Sequence, residues 1–145
     1  MRNALKPALL ACACLALGMT VLSQSARPAL ADSCWDHNGS LMRLVAQGKQ
    51  RWFYYEVPRQ AIRAQGVAPG TLLFNGWKDG NGYTGTARVF SKHCPGAPLE
   101  YQVSGPVAPN QLGVTLYGTR PKTQQCQPTG QMTTDTLVFT YRHQC

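Results

Sequence analysis

Apolar and polar residues alternate along several stretches of this chain, most clearly between residues 83 and 90. There Tyr83, Gly85, Ala87 and Val89 share one face, at the two-residue period of a half-buried β-strand. The preceding Asp-Gly-Asn-Gly at 79–82 is typical of a tight reversal, so this strand and the apolar stretch before it predict a β-hairpin. Because Gly85 and Ala87 are small, we expect another backbone or a large ring to pack against this face.

Similar alternation elsewhere extends the prediction to about seven strands. They cover residues 41–46, 51–57, 72–77, 83–90, 99–107, 114–119 and 134–143. Residues 35–39 are predicted to form a turn and residues 120–133 a long polar loop. Short connections between successive strands favour an antiparallel meander that closes into a small barrel, with a two-sheet sandwich as the alternative. The predicted fold class is therefore mainly β.

Only residues 58–65 have a helical pattern, in which Ala61 and Ile62 share one side and Gly66 follows as a terminator. No Ser, Thr, Asp or Asn stands immediately before this segment to cap it. A helix of about two turns is not stable alone, so we expect packing across one mouth or one face of the sheet to hold it.

The first 31 residues have the features of a secretory signal peptide. Arg2 and Lys6 precede an apolar run at 8–22, and Ala-Leu-Ala at 29–31 supplies a cleavage site. The run is shorter than the ~20 residues that a membrane span needs, so no transmembrane segment is expected after cleavage. A lipoprotein modified at Cys12 or Cys14 is the alternative, but too little apolar sequence precedes either cysteine. Residues 32–145 are then a single disulfide-bonded β domain that is periplasmic or secreted.

That domain contains four cysteines, Cys34, Cys94, Cys126 and Cys145. An even number in an oxidising compartment predicts two disulfides, with three possible connectivities. In a seven-strand meander the loops after the fourth and sixth strands lie at the same end, which favours Cys94–Cys126 and leaves Cys34–Cys145. Seven strands, however, place the two chain ends at opposite ends of the sheet. The rival pairing, Cys34–Cys94 with Cys126–Cys145, therefore stays open.

The charge of the chain is moderately basic. The signal peptide contains Arg2, Lys6 and Arg27, so 11 of the 14 basic residues remain in the domain against 6 acidic ones, a net charge of +5. These residues form no run, which indicates a solvated basic surface. If this basic surface has a binding function, the expected partner is an anionic component of the cell envelope. Nucleic acid is not an expected partner of an exported protein.

Enzyme signatures are absent from the sequence. It contains no Gly-x-Ser-x-Gly, His-Glu-x-x-His or phosphate loop, and no Cys-x-x-Cys within the domain, so we expect no catalysis, no cofactor and no metal. Asp36 and His37 are neighbours, and in an extended segment they point to opposite faces. His143 lies on the apolar face of the last strand, where we expect a buried histidine with a backbone partner.

Aromatic residues provide the candidate binding site. Residues 52–55 are four aromatics in a row, so two must point to each face, and one pair must be either covered or exposed. We predict that Trp52, Tyr54, Phe74 and Trp77 line a barrel interior or mouth that accepts a small apolar or glycan ligand. The alternative function is an envelope-associated interaction or inhibitor domain that uses an exposed aromatic and basic face.

The exported leader and the segments CWDHNGSLMRL, QRWFYYEVP, GVAPGTLLFNG, YTGTARVFSKHCPG and TDTLVFTYRHQC resemble small exported proteins of unknown function from Gram-negative bacteria, especially soil and symbiotic ones. The resemblance implies a periplasmic or secreted location but no activity and no site residues. The architecture is also loosely similar to calycin-type barrels, which hold small apolar ligands, an analogy of fold alone.

Overall fold

The computed structural model describes residues 31–145, so the predicted signal peptide, apart from Ala31, lies outside the described residues. This part of the chain forms eight strands and one short helix. They are β1 (Ser33–His37), β2 (Ser40–Gln47), β3 (Gln50–Val57), α1 (Gln60–Arg63), β4 (Leu72–Asp79), β5 (Gly82–Val89), β6 (Leu99–Pro106), β7 (Gly113–Gln124) and β8 (Gln127–Gln144).

The strands form a closed barrel in sequence order, and each strand is antiparallel to the next. β8 closes the barrel by pairing with β1, where Ser33 lies opposite Gln144 and Asp36 opposite Thr140. The prediction of a mainly β meander closed into a barrel is therefore confirmed, and the two-sheet sandwich is not what forms.

Two segments are strands where the sequence predicted a turn or a loop. β1 lacks a clean alternation because a bulge between Cys34 and Trp35 leaves both side chains buried. The predicted polar loop at 120–133 is a continuation of β7 and β8, joined by a two-residue turn at 125–126. This part of the hairpin projects past the barrel, so neither face is buried in a core and no apolar alternation marks it.

The eighth strand explains the disulfide pairing. We call the end of the barrel with residues 38–39, 58–71, 90–98 and 125–126 the upper end, and the opposite end, with the start of β1 and the end of β8, the lower end. An even number of strands brings both chain ends to the lower end, where Cys34 bonds Cys145 with 5.1 Å between Cα atoms. Cys94 bonds Cys126 at the upper end, with a Cα separation of 5.9 Å. The preferred pairing is confirmed.

Stacked rings fill the centre of the barrel. Phe53 and Phe139 stack with their centroids 4.0 Å apart, and Phe74 packs against Phe53 at 6.3 Å. None of these three side chains is exposed to solvent. Trp35 meets the edge of Phe53 at 5.9 Å from the lower side. Offset and edge contacts of this kind add to the free energy gained by burying the rings.

Gly85, a small inward residue of the central hairpin, lies against backbone, as predicted. A Cβ atom on Gly85 would overlap the carbonyl oxygen of Asn75 and the Cα of Gly76. β4 and β5 therefore approach closely where Gly76 pairs with Gly85. Glycine permits the strong curvature that a barrel of this size requires.

The helix is shorter than predicted and lies at the upper end. α1 has no side-chain cap, since its N-cap residue is Arg59. Ile62 packs against the hydrophobic core, and Pro58, just before the helix, is fully buried. Tertiary packing rather than local propensity therefore holds this single turn of helix.

Candidate functional site

A cavity of about 340 Å³ opens at the upper end of the barrel. We call it the upper mouth. Its walls come from the upper parts of β1, β3, β4, β5, β6 and β8, together with Ile62 of α1. It is lined by His37, Asn38, Tyr55, Ile62, Leu73, Arg88, Val89, Phe90, Tyr101, Thr134, Asp135, Thr136 and Leu137.

Strand alternation accounts for the apolar lining of the upper mouth. Tyr55 and Leu137 are inward-facing positions two residues above Phe53 and Phe139, and Tyr101 is an inward-facing position of β6. Phe90 closes one side and meets the edge of Tyr55 with 6.1 Å between centroids. The mouth therefore has an apolar floor formed by the top of the core.

His37 is a buried titratable group at this site. Its Nδ1 lies 2.9 Å from the carbonyl oxygen of Val138, which can only accept, so Nδ1 carries the proton. The ring stacks on Phe139 with 4.7 Å between centroids. Burial lowers the pKa of His37 below its usual 6.5, although the Val138 carbonyl and Asp36 oppose this shift. His37 is therefore a neutral polar group beside the apolar floor.

A charged network also borders the mouth. Arg120 and Asp135 form an ion pair through the guanidinium Nε, and a second nitrogen of Arg120 lies 3.3 Å from the other carboxylate oxygen. The guanidinium also lies over the ring of Tyr101, 5.9 Å from its centroid. Burial, and secondarily the Asp135 carboxylate, raises the pKa of Tyr101, while burial raises the pKa of Tyr55 to about 12. Both phenols therefore keep their protons at neutral pH.

A second, larger cavity of about 560 Å³ adjoins the mouth and shares Arg88 and Phe90 with it. We call it the upper groove. It runs between the chain after α1 and the β5–β6 connection. Its lining consists of Arg63, Ala64, Gln65, Gly66, Thr71, Leu72, Arg88, Phe90, Ser91, Lys92, Cys94, Pro95, Gly96 and Pro98.

The structure separates the four residues that the sequence predicted as a binding site. Phe74 is fully buried in the ring cluster. Trp52 and Tyr54 lie on the outer wall of the barrel, because Phe53 and Tyr55 take the inward positions of β3. Trp77 is also on the outer wall, and its side chain is 56% exposed. These residues share no interior cavity.

Trp52 and Tyr54 border a shallow trough on the outer wall, together with Arg43, Val45 and Gln47. The Arg43 guanidinium lies over the Tyr54 ring, 5.4 Å from its centroid, and forms ion pairs with Asp32 and Glu56. Trp52 and Tyr54, the outward-facing pair among the four aromatics at 52–55, are thus partly covered by neighbouring side chains and not by the helix.

Several residues of the upper mouth were missed as ligand-binding candidates, among them His37, Tyr55, Tyr101 and Leu137. Their common signal is position, since each is inward-facing and near the upper end of its strand. This signal depends on knowing which end of the barrel is open. The expectation that His143 is buried is wrong, because its side chain is exposed, but the expected backbone partner is present, with Nδ1 2.7 Å from the carbonyl oxygen of Gln144. The inference that Asp36 and His37 face opposite sides is confirmed, because Asp36 pairs with Arg142 outside.

Over residues 31–145, no group of three or more His, Cys, Asp and Glu side chains is arranged to hold a metal ion. In the same part of the chain, no helix has the length and apolar character needed to cross a membrane.

Comparison of the sequence with known protein families gives no match, and comparisons with curated proteins and with solved structures give none either.

Proposed function

We propose that this chain is an exported, non-enzymatic binding protein that holds a small, partly apolar ligand in the upper mouth. The observation that carries the proposal is the contrast between a barrel centre filled by its own rings and an upper mouth that stays open above an apolar floor. The volume of the mouth lies at the lower end of the range found for small-molecule sites.

The polar groups of the mouth support binding rather than catalysis. His37 donates its only ring proton to a backbone carbonyl, and the carboxylate of Asp135 is paired with Arg120. The two phenols, Tyr55 and Tyr101, remain protonated at neutral pH. The phenols can donate hydrogen bonds to a ligand, and Nε2 of His37, which keeps its lone pair, can accept one, while none of these groups is an activated nucleophile.

Two disulfides indicate a compartment outside the cytoplasm. The basic, apolar leader at 1–31 supports export to the periplasm or the medium as part of this proposal. The ligand would then be a molecule of the cell envelope or of the surroundings.

The test compares two identical chemical changes at different places. Val89→Trp puts an indole into the upper mouth, where Val89 is half-buried. Val138→Trp puts the same ring on the outer wall, where Val138 is 47% exposed. Each protein is purified without detergent from the envelope fraction or medium of the organism that makes it, and native mass spectrometry records what accompanies it.

We expect a small-molecule mass adduct on the wild type and on Val138→Trp, and its loss from Val89→Trp. Equal adducts on all three proteins would place the ligand elsewhere and contradict the proposal. A second polypeptide in place of a small molecule would also contradict it. That outcome would favour the interaction domain, with the outer wall around Trp52, Tyr54 and Trp77 as its contact surface.

A further inference from the structure

We propose that the ligand is an organic anion with an apolar body, whose body lies in the upper mouth and whose acidic head lies in the upper groove beside Arg63 and Lys92. This inference rests on the proposed function of the upper mouth and names the chemical class of its ligand.

The charge of the upper groove favours an acidic group on the ligand. Its lining contains Arg63, Arg88 and Lys92 and no acidic residue. Arg88 is already engaged, by Glu100 at 2.7 Å and by Asn75 at 2.7 Å. No such ion pair engages the other two cations within the described chain. The groove therefore presents two positive charges without a carboxylate to balance them.

The position of Arg63 is fixed by the backbone. Its Nε donates to the carbonyl oxygen of Pro58 at 2.7 Å, which leaves the terminal nitrogens of the guanidinium for another acceptor. A guanidinium held in this way suits the two oxygens of a carboxylate, phosphate or sulfate group. Lys92 lies across the groove on the β5–β6 connection and adds a second, more flexible donor.

The walls of the groove argue for an apolar body on the ligand. Leu72, Phe90, Pro95 and Pro98 give it an apolar lining between the cations. A small inorganic anion would leave this lining exposed to water, whereas a ligand with both an apolar body and an acidic head contacts the lining and the two exposed cations. Because Phe90 borders both cavities, one amphipathic molecule can contact the groove and the mouth together.

The two walls are also tied to each other before any ligand binds. The backbone N–H of Lys92 donates to the side-chain oxygen of Gln65 at 3.2 Å, across the groove. The Cys94–Cys126 disulfide anchors the same connection to the β7–β8 turn. A site with fixed walls loses less conformational freedom when a ligand binds, which favours affinity.

Two probe molecules of equal carbon number distinguish binding of the acidic head from binding of the apolar body. Decanoate at pH 8 carries the acidic head, and 1-decanol has the same ten carbons without charge. Binding of each is measured by isothermal titration calorimetry at low and high salt. The variant Arg63→Gln/Lys92→Gln removes the two free cations. Lys78→Gln/Lys122→Gln removes the same net charge from two lysines that line neither cavity and form no ion pair within the described residues, and is the matched control.

We expect the wild type and the control to bind decanoate about tenfold more tightly than decanol, with the preference weakening at high salt. The Arg63→Gln/Lys92→Gln variant should lose this preference and keep its affinity for decanol. Equal binding of both probes by all proteins would overturn the acidic-head assignment and leave the apolar mouth intact. Failure of every protein to bind either probe would overturn both proposals.

Discussion

The two ends of this barrel are built for different tasks. At the lower end the first and last strands meet, the Cys34–Cys145 disulfide joins them, and the N–H of Cys145 donates to the carbonyl of Asp32. Arg51 adds a side-chain contact there, since its Nε donates to the Tyr83 hydroxyl. At the upper end the connections are longer and surround two adjoining cavities. The lower end closes the fold, whereas the upper end leaves room for another molecule.

This difference follows from the number of strands and the lengths of their connections. Eight strands bring both chain ends to one side, so closure needs only one disulfide and a short bulged strand. The β3–β4 and β5–β6 connections, at 58–71 and 90–98, are both at the other side. Long connections supported by a rigid scaffold are where binding residues concentrate.

Removing one disulfide at a time should give the largest difference between the two ends of the barrel. We expect Cys34→Ser/Cys145→Ser to lower the free energy of unfolding by at most about 5 kcal/mol, and Cys94→Ser/Cys126→Ser by at most about 4 kcal/mol, because loop entropy grows with the residues enclosed. Their sequence separations are 111 and 32. Denaturant titration gives the stability and calorimetry with decanoate the affinity. Only the upper variant should weaken binding at a temperature where both are folded; equal losses of affinity would contradict the division of roles.

Truncating one ring in the centre and one at the mouth sharpens the same contrast. Phe53→Ala should cost roughly 3 to 5 kcal/mol of stability, because the ring is fully buried and contacts three other rings. Phe90→Ala should cost roughly 1 to 2 kcal/mol, because its ring is only half-buried, but it should weaken the binding of both decanoate and decanol. Urea denaturation and calorimetry measure the two effects. Unchanged binding by Phe90→Ala would count against a ligand that spans both cavities.

The pH dependence of stability reports on His37 at the upper end. Its pKa is lowered in the folded state, so below pH 6.5 the unfolded chain binds a proton that the folded chain does not. Stability should therefore fall as the pH decreases from 6.5 towards the folded pKa of His37, and level off below it. His37→Gln, which keeps a donor for Val138, should flatten this slope. Urea titrations between pH 7.5 and 5 measure it, with His93→Gln at an exposed position as the matched control. Identical slopes for His37→Gln and wild type would contradict the assignment.

The smallest effect is expected on the outer wall. Trp77→Ala removes a side chain that is 56% exposed, so it should lower the free energy of unfolding by only about 1 kcal/mol. Its affinity for decanoate should equal that of the wild type. A large loss of affinity would contradict binding in the upper mouth and would support the aromatic site that the sequence predicted around Trp77.

Much of the barrel could be predicted from the sequence. Seven of the eight strands alternate cleanly enough to be found, and the Gly85 position correctly indicated a close backbone approach. β1 was missed because its bulge buries two consecutive residues, Cys34 and Trp35. Because this strand was missed, the choice between the two disulfide pairings stayed open. An odd number of strands puts the chain ends at opposite ends of the barrel, where Cys34 and Cys145 could not meet.

The site was harder to predict than the fold for a physical reason. Alternation says that Trp52 and Tyr54 share a face, but not whether that face is inside. The choice depends on the register with β2 and β4, where Phe53 pairs with Leu44 and Phe74. Which mouth stays open depends on how far the side chains of eight strands fill the interior, a quantity that no single segment contains.

The position of the ligand is the central claim, and amide spectra of isotopically labelled protein titrated with decanoate test it most directly. Shifts should concentrate at the upper end, at residues such as Phe90, Lys92 and Tyr101, and should saturate together. The lower-end amides of Gly48 and Val107 and the indole N–H of Trp77 on the outer wall should stay in place. Shifts at the lower end or on the outer wall, with none at Phe90 and Tyr101, would contradict the account.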